Sequence, residues 1–163
     1  CKREDIFLSP KKIFFRRVSS TLIATIDTEK FYALNTLVVM NKKENVPTDI
    51  RYFLGLFNSR LMNYYYTKSL KSTKKVFSEI QARQIKELLI KLSDKEEESA
   101  VVELVNKMLT LNKRLNEIGD KKTDKRAKIE EEIKKTDAQI DELVYKIYGI
   151  NAKEKKIIEE SLN

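Results

Sequence analysis

The sequence predicts an α+β fold, a small antiparallel sheet with packed helices forming a recognition head, followed by a long antiparallel helical hairpin. Three observations carry this. Short β-favouring segments separated by polar triplets fill the first 40 residues, apolar positions recur at heptad spacing between 101 and 150, and 12 of the 14 Phe and Tyr fall within the first 78 residues. The patterns set a head at 1–92, and a hairpin with a short C-terminal helix at 93–163.

Residues 11–18 (KKIFFRRV) place Ile13 and Phe15 on one face of a strand, with Phe14 and Arg16 on the other. Ser19-Ser20-Thr21 turns the chain into a second strand, Leu22-Ile23-Ala24-Thr25-Ile26, and Asp27 to Lys30 turns it into a third, Phe31 to Met40. Connections this short predict a three-stranded meander. Asn41 to Pro47 reads as a loop, after which Thr48 or Asp49 caps one helix with Ile50, Phe53, Leu54, Phe57, Leu61 and Tyr64 or Tyr65 on its apolar face. Tyr66 to Lys75 reads as an exposed basic loop, Val76-Phe77 as a short buried segment and Ala82 to Leu92 as a short amphipathic helix. The acidic cluster Asp94 to Glu98 suits the positive N-terminal end of the helix that follows.

Val101, Leu104, Met108, Leu111, Leu115 and Ile118 form one heptad seam, and Ile129, Ile133, Thr136, Ile140, Leu143, Ile147 and Ile150 form another. Folding the two helices back to back pairs Ile118 with Ile129 through to Val101 with Ile147, with position sums that stay at 247 or 248. A constant sum is the arithmetic of an antiparallel hairpin. The same seams would serve pairing within one chain or between two, so a dimer through the hairpin is a second arrangement. Gly149 is placed to end the second helix and Asn151 to start a last one.

Composition narrows the function classes. With 41% hydrophobic residues the chain can bury a core, and 36% charged residues with only 3 Gly and 2 Pro favour long solvated helices. One Cys and no His exclude a disulfide framework and a Cys-based zinc site, as expected of a reduced, cytoplasmic protein. No apolar run approaches a membrane span, so a soluble chain with no membrane partner is expected, and a start at Cys1 suggests a piece of a longer polypeptide. There is no nucleophile elbow, no Gly-rich phosphate loop, and neither Asn-Pro-Pro-Tyr nor Asp-Pro-Pro-Tyr, the motif of adenine amino-methyltransferases. No catalytic residue, cofactor or metal site is therefore expected. Glu96-Glu97-Glu98 and Glu130-Glu131-Glu132 are consecutive on helices and point apart, so they read as helix-dipole and solvating charges.

The charge is lopsided. The first 78 residues carry 15 Lys+Arg against 6 Asp+Glu, and the remainder 18 against 19. A basic region with an aromatic core suggests a polyanion reader. Phosphates are held by cations and small hydroxyls on loops, which singles out Lys11, Lys12, Arg16 and Arg17 on the first strand, Ser19, Ser20 and Thr21 on its turn, and Lys68, Lys71, Ser72, Thr73, Lys74 and Lys75 on the basic loop. Taken singly, a Lys-flanked strand also reads as edge protection and the loop as a solvated one. Of Tyr64-Tyr65-Tyr66 at least one must be core, and Asn58, Ser59, Arg60 and Asn63 suit hydrogen bonding within the fold as well as a groove contact. Two other classes stay open, a protein-interaction scaffold whose coiled coil mediates assembly and an RNA-binding module.

The succession Lys12-Ile13-Phe14-Phe15-Arg16-Arg17, Ile23-Ala24-Thr25-Ile26-Asp27, Phe31-Tyr32-Ala33-Leu34-Asn35-Thr36-Leu37 and Tyr52-Phe53-Leu54-Gly55-Leu56-Phe57-Asn58-Ser59-Arg60-Leu61-Met62-Asn63-Tyr64-Tyr65 resembles the TaqI-like C-terminal specificity domain. The resemblance continues through Lys75-Val76-Phe77-Ser78-Glu79-Ile80 and Ile140-Asp141-Glu142-Leu143-Val144-Tyr145-Lys146-Ile147-Tyr148-Gly149-Ile150. It departs where such domains often show a Leu-Pro-Ile-Pro exit and this chain has Leu88-Leu89-Ile90-Lys91. The family supplies target recognition domains of type II and IIG restriction-modification adenine methyltransferases, related to the S subunits of type I systems. The resemblance thus implies a non-catalytic part that holds double-stranded DNA for a partnered methyltransferase domain or subunit, with or without a fused endonuclease. S-adenosylmethionine would belong to that partner, and the hairpin would act as spacer and docking surface.

Overall fold

A computed structural model of the chain describes residues 4–71, 79–120 and 122–162. Strand β1 (Lys12–Arg16) lies between β2 (Ala24–Asp27) and β3 (Leu37–Met40), and both pairings are antiparallel. Lys12 sits opposite Asp27, and Arg16 opposite Leu37. The order β2-β1-β3 replaces the expected meander, and the cause lies in β1. Ile13, Phe14 and Phe15 are all buried, and a strand apolar on both faces belongs in the middle of a sheet. The third strand is shorter than expected because residues 28–36 must carry the chain from the Asp27 end of the sheet back to the Arg16 end.

One face of β1 meets the helices, with the Phe15 ring edge-on to Phe57 at 5.0 Å between centroids. The other carries Lys12 and Phe14. It lies beneath helix α1 (Asp5–Leu8) and the 28–36 crossover, which are joined to each other by the Phe7–Tyr32 ring stack at 5.3 Å.

The expected single helix after Pro47 is two helices and a wide turn. Asp49 caps α2 (Ile50–Asn58) by accepting from the Arg51 N–H at 2.8 Å. Ser59 then adopts an extended backbone and caps α3 (Arg60–Tyr65), and a π-helical turn, Tyr66–Leu70, stands where an exposed loop was expected. The break has a tertiary cause. Asp141, far along the chain, accepts a hydrogen bond from the Arg60 N–H at 2.8 Å, while the Ser59 hydroxyl donates to the Leu56 carbonyl at 2.7 Å. Helix α4 is only Ala82–Lys86, shorter than expected, because the following segment runs extended along the hairpin. Tyrosine hydroxyls fasten it: Tyr52 donates to the Lys91 carbonyl at 2.8 Å, and Tyr148 donates to the Leu89 carbonyl at 2.8 Å while accepting from the Lys91 N–H at 3.0 Å.

Helices α5 (Lys95–Ile118) and α6 (Asp124–Tyr148) pack as the expected antiparallel hairpin within one chain, bridged by Lys107–Glu132 at 3.5 Å and Lys146–Glu97 at 3.4 Å. Asp94 caps α5, with Glu96, Glu97 and Glu98 in its first turn, and Gly149 ends α6 at a φ of +72°. Asn151 and Glu154 form a capping box for α7 (Ala152–Ser161). The buried stripe is wider than a heptad seam. Val105, Asp141, Val144 and Tyr145 are buried as well as Val101, Leu111, Ile129, Thr136, Ile140 and Ile147, because the base of the hairpin also packs against the head. Val101, Val105, Ile140, Val144 and Ile147 share one core cluster with Ile13, Phe15 and Phe57.

Gly55 makes this packing close. A Cβ there would lie 2.8 Å from Val101 Cγ1 and 3.0 Å from Val105 Cγ2, nearer than non-bonded carbons approach. Gly55→Ala is expected to lower unfolding stability by about 1–2 kcal/mol in urea titration, since overpacking outweighs the roughly 1 kcal/mol of helix propensity that Ala contributes.

Burial pushes the Asp141 carboxyl up to about 6, a rise to which the neighbouring Asp137 charge adds and which the Arg60 N–H and guanidinium only partly oppose. The folded chain therefore holds this proton more tightly than the unfolded one, whose value is near 3.8. This contribution is fully present below about pH 4 and is lost as pH rises through about 6. Asp141→Asn keeps an acceptor for Arg60 and removes the titration. In denaturation at several pH values it should flatten the wild-type loss between pH 4 and 6 and gain on the order of 2 kcal/mol at pH 7.

Candidate nucleic-acid interface

The predicted contact residues divide between the two ends of the sheet. Arg16 closes β1 and is exposed. Arg17 follows it and is half-buried; its Nε donates to Glu79 Oε2 at 3.2 Å, and its Nη1 donates to the Asn35 carbonyl at 3.2 Å and to the Asn35 side chain. In the turn, the Ser19 hydroxyl accepts from the Thr21 N–H at 3.3 Å, and the Ser20 carbonyl accepts from Lys71 Nζ at 3.2 Å. Lys68, on the π-helical turn, is exposed, with its ammonium 6.0 Å from the Tyr64 ring centroid. The fold thus gathers Arg16, Arg17, Ser19, Ser20, Thr21, Lys68 and Lys71 at one end. Ser72, Thr73, Lys74 and Lys75 lie outside the described residues.

Lys11 and Lys12 stand at the other end, roughly 13 to 17 Å from Arg16 at the rise of an extended strand. Lys11 is exposed in a cleft of mixed charge with Lys42, Lys43, Asp5, Glu44 and Asp49. Lys12 is fully buried and forms an ion pair with Asp27, donates to the Phe7 carbonyl at 2.9 Å, and lies 5.3 Å from the Phe14 ring centroid. Expected at the surface, it is instead an internal cation, because it shares its strand face with Phe14 beneath the crossover. Burial pushes the Asp27 carboxyl up, yet the Lys12 ammonium and the N–H groups of Glu29 and Phe31 outweigh this and leave it below its ordinary value. Sequence reasoning assigned Asp27 only to a turn. The available signal was a lysine at a strand position whose i+2 neighbour is Phe14, which requires a counter-charge when that face is covered.

The side chains weighed as groove contacts on the helix after Asp49 serve the fold. Asn58 exchanges hydrogen bonds with both backbone groups of Ala24, at 2.8 Å and 3.0 Å. Asn63 accepts from the buried Leu22 N–H at 2.7 Å, and its amide donates to the Ser59 carbonyl at 3.1 Å. Together they anchor Leu22 and Ala24, two of the three residues that lead out of the Ser19–Thr21 turn. Arg60 faces Asp141 at 3.7 Å, Tyr66 is core, and Tyr65 packs against the core.

A sheet that presents a cationic, hydroxyl-bearing end, anchored through asparagines to helices braced by a long hairpin, defines a small recognition module. Among the described residues no group of acidic, Cys or His side chains could hold a metal ion. Residues 2–90 match the TaqI-like C-terminal specificity domain. The chain belongs to that family. Over 118 residues it is also 30% identical to a Methanocaldococcus jannaschii protein named "putative type II restriction enzyme and methyltransferase", a match covering 69% of this chain and 10% of that relative's length.

Breaking one partner of a buried ion pair leaves the other charge uncompensated. Lys12→Met is expected to cost about 3–5 kcal/mol of stability in chemical denaturation, whereas Lys11→Met, one residue away and exposed, should change it by less than about 0.5 kcal/mol.

Proposed function

We propose that this chain is the DNA sequence-recognition part of a restriction-modification system, binding duplex DNA through the Arg16–Lys71 end of its sheet. The observation that carries the reading is the grouping at one end of the sheet of Arg16, Arg17, the Ser19–Thr21 turn and Lys71, whose ammonium donates to the Ser20 carbonyl, in a chain of the specificity-domain family. Arg and Lys supply phosphate contacts that orient a duplex, and hydroxyls on a held turn supply donors and acceptors for base edges. Arg17 is partly neutralised by Glu79, so Arg16, Lys68 and Lys71 furnish most of the net attraction at this end.

The name of the M. jannaschii relative supports placing the chemistry in a methyltransferase part of the same system. On this reading S-adenosylmethionine and the target adenine are handled there, with or without a nuclease, while this chain selects the site and catalyses nothing. The hairpin, braced on the head through Gly55, Val101 and Val105, holds the recognition end at a set distance from that partner and offers its outer faces for docking or for a second copy. No helix among the described residues is long and apolar enough to cross a membrane, and the proposed place of action is the cytoplasm.

Phosphate neutralisation releases counterions, so affinity for duplex DNA should fall steeply with salt, with a log–log slope of about −0.9 for each phosphate engaged. The double variant Lys68→Glu, Lys71→Glu should keep its fold by circular dichroism, bind duplex more weakly and show a slope shallower by about two. A binding constant unchanged between low and moderate salt would refute the reading, and a preference for single-stranded RNA in competition would replace it with the RNA-binding alternative.

A further inference from the structure

The recognition end is not purely polar. Val18, Ile23 and Leu34 are exposed to 52%, 46% and 83% respectively, and the backbone places all three around the same two arginines. Val18 directly follows Arg17 and pairs in a β-bridge with Glu79. The Ile23 carbonyl accepts the Arg16 N–H at 2.9 Å. Leu34 precedes Asn35, the residue that holds Arg17, and its carbonyl accepts from the Leu37 N–H at 3.2 Å at the start of β3.

These side chains are not loosely displayed. Thr36 accepts from the Arg17 N–H at 3.0 Å and the Ile80 N–H donates to the Arg17 carbonyl at 2.7 Å, so the first turn, the end of the crossover and the 79–80 segment are tied together by backbone bonds. Isolated exposed apolar residues are ordinary, but several held together and rimmed by charge mark an interaction surface. The rim here is Arg16, Ser20, Lys68 and Lys71, which is complementary to a polyanion and opposed among these groups by Glu79. A duplex matches that combination. Its phosphates meet the rim, and the one apolar group it presents along the major-groove base edges is the thymine 5-methyl.

Resting on the DNA-recognition reading above, we infer that Val18, Ile23 and Leu34 are specificity-determining residues that contact thymine 5-methyl groups in the major groove. Hydroxyls and cations alone discriminate base edges by hydrogen bonding. The apolar trio adds a preference for thymine over any base that presents bare polar edge, and over deoxyuridine, which differs from thymine in that methyl alone.

The test selects tightly bound duplexes from a randomised double-stranded pool with the full chain, then measures binding to the selected duplex with each thymine replaced in turn by deoxyuridine. At one or more positions the replacement should weaken wild-type binding about fourfold, the effect expected for one buried methyl group. Single variants Val18→Ser, Ile23→Asn and Leu34→Asn lie at exposed positions, and their fold is verified by circular dichroism. At least one should bind the thymine and deoxyuridine duplexes equally while retaining the wild-type salt slope. Equal wild-type binding to both duplexes, with sequence-selective and salt-dependent binding intact, overturns this inference and leaves the recognition reading standing. Unchanged thymine preference in all three variants also overturns it. A pool from which no sequence is enriched overturns both.

Discussion

The buried pair of Lys12 and Asp27 is the constraint on which the head depends. An ammonium and a carboxylate removed from water cost several kcal/mol each unless their mutual attraction and remaining hydrogen bonds offset it. Here every bond that does so ties down a separate piece of chain. Lys12 donates to the Phe7 carbonyl and so holds α1. Asp27 accepts from the N–H groups of Glu29 and Phe31, each at 3.0 Å, and so starts the crossover in one direction. The pair also lies across the first rung of the β1–β2 ladder, Lys12 opposite Asp27. A crossover launched there has to travel the length of β1 to begin β3, which stacks Tyr32 on Phe7 and delivers Leu34 and Asn35 to Arg17. A charge pair at one end of the sheet thereby sets the composition of the other end.

The hairpin reaches the Arg16–Lys71 end of the sheet by a continuous set of bonds. Asp141 on α6 caps the first residue of α3, α3 carries Asn63, and Asn63 holds the Leu22 N–H that leaves the Ser19–Thr21 turn. From the other side, α5 lies against Gly55 of α2, whose last residue, Asn58, clamps Ala24 of β2. A recognition surface needs its donors held to within a fraction of an ångström, and elements locked by packing hold them better than free loops. The long helices are thus part of how the turn is positioned, and their base is part of the head's core.

How much of this was legible from the residues depends on the range of the interaction involved. The hairpin was, down to its antiparallel pairing, the acidic start at Asp94 to Glu98 and the end at Gly149, because heptad spacing and helix-end signals are local, although Asp94 emerged as the capping residue itself only in the structure. The two long-range events were not. Burial of a lysine cannot be read without knowing that a crossover covers its strand face. The break at Ser59 is equally hidden, since a stretch from 50 to 65 with helical periodicity looks continuous until a carboxylate from α6 competes for the Arg60 N–H. Of the predicted contact residues, the turn and Lys71 come together as a set, whereas Lys11 falls at the far end and Lys12 inside.

By itself, then, the sequence determined the class of fold, the basic and aromatic character of the front and the paired helices behind it, which follow from composition and periodicity, and the family resemblance, which rests on the particular residue runs that carry it. Tertiary structure alone decided the strand order, which of the cations remain available to a polyanion, and the grouping of Val18, Ile23 and Leu34 beside the arginines. Those outcomes depend on which face of β1 is covered and by what, and that is settled by the balance between desolvating Lys12 and satisfying it with Asp27 and Phe7, groups brought to it only when the chain has folded.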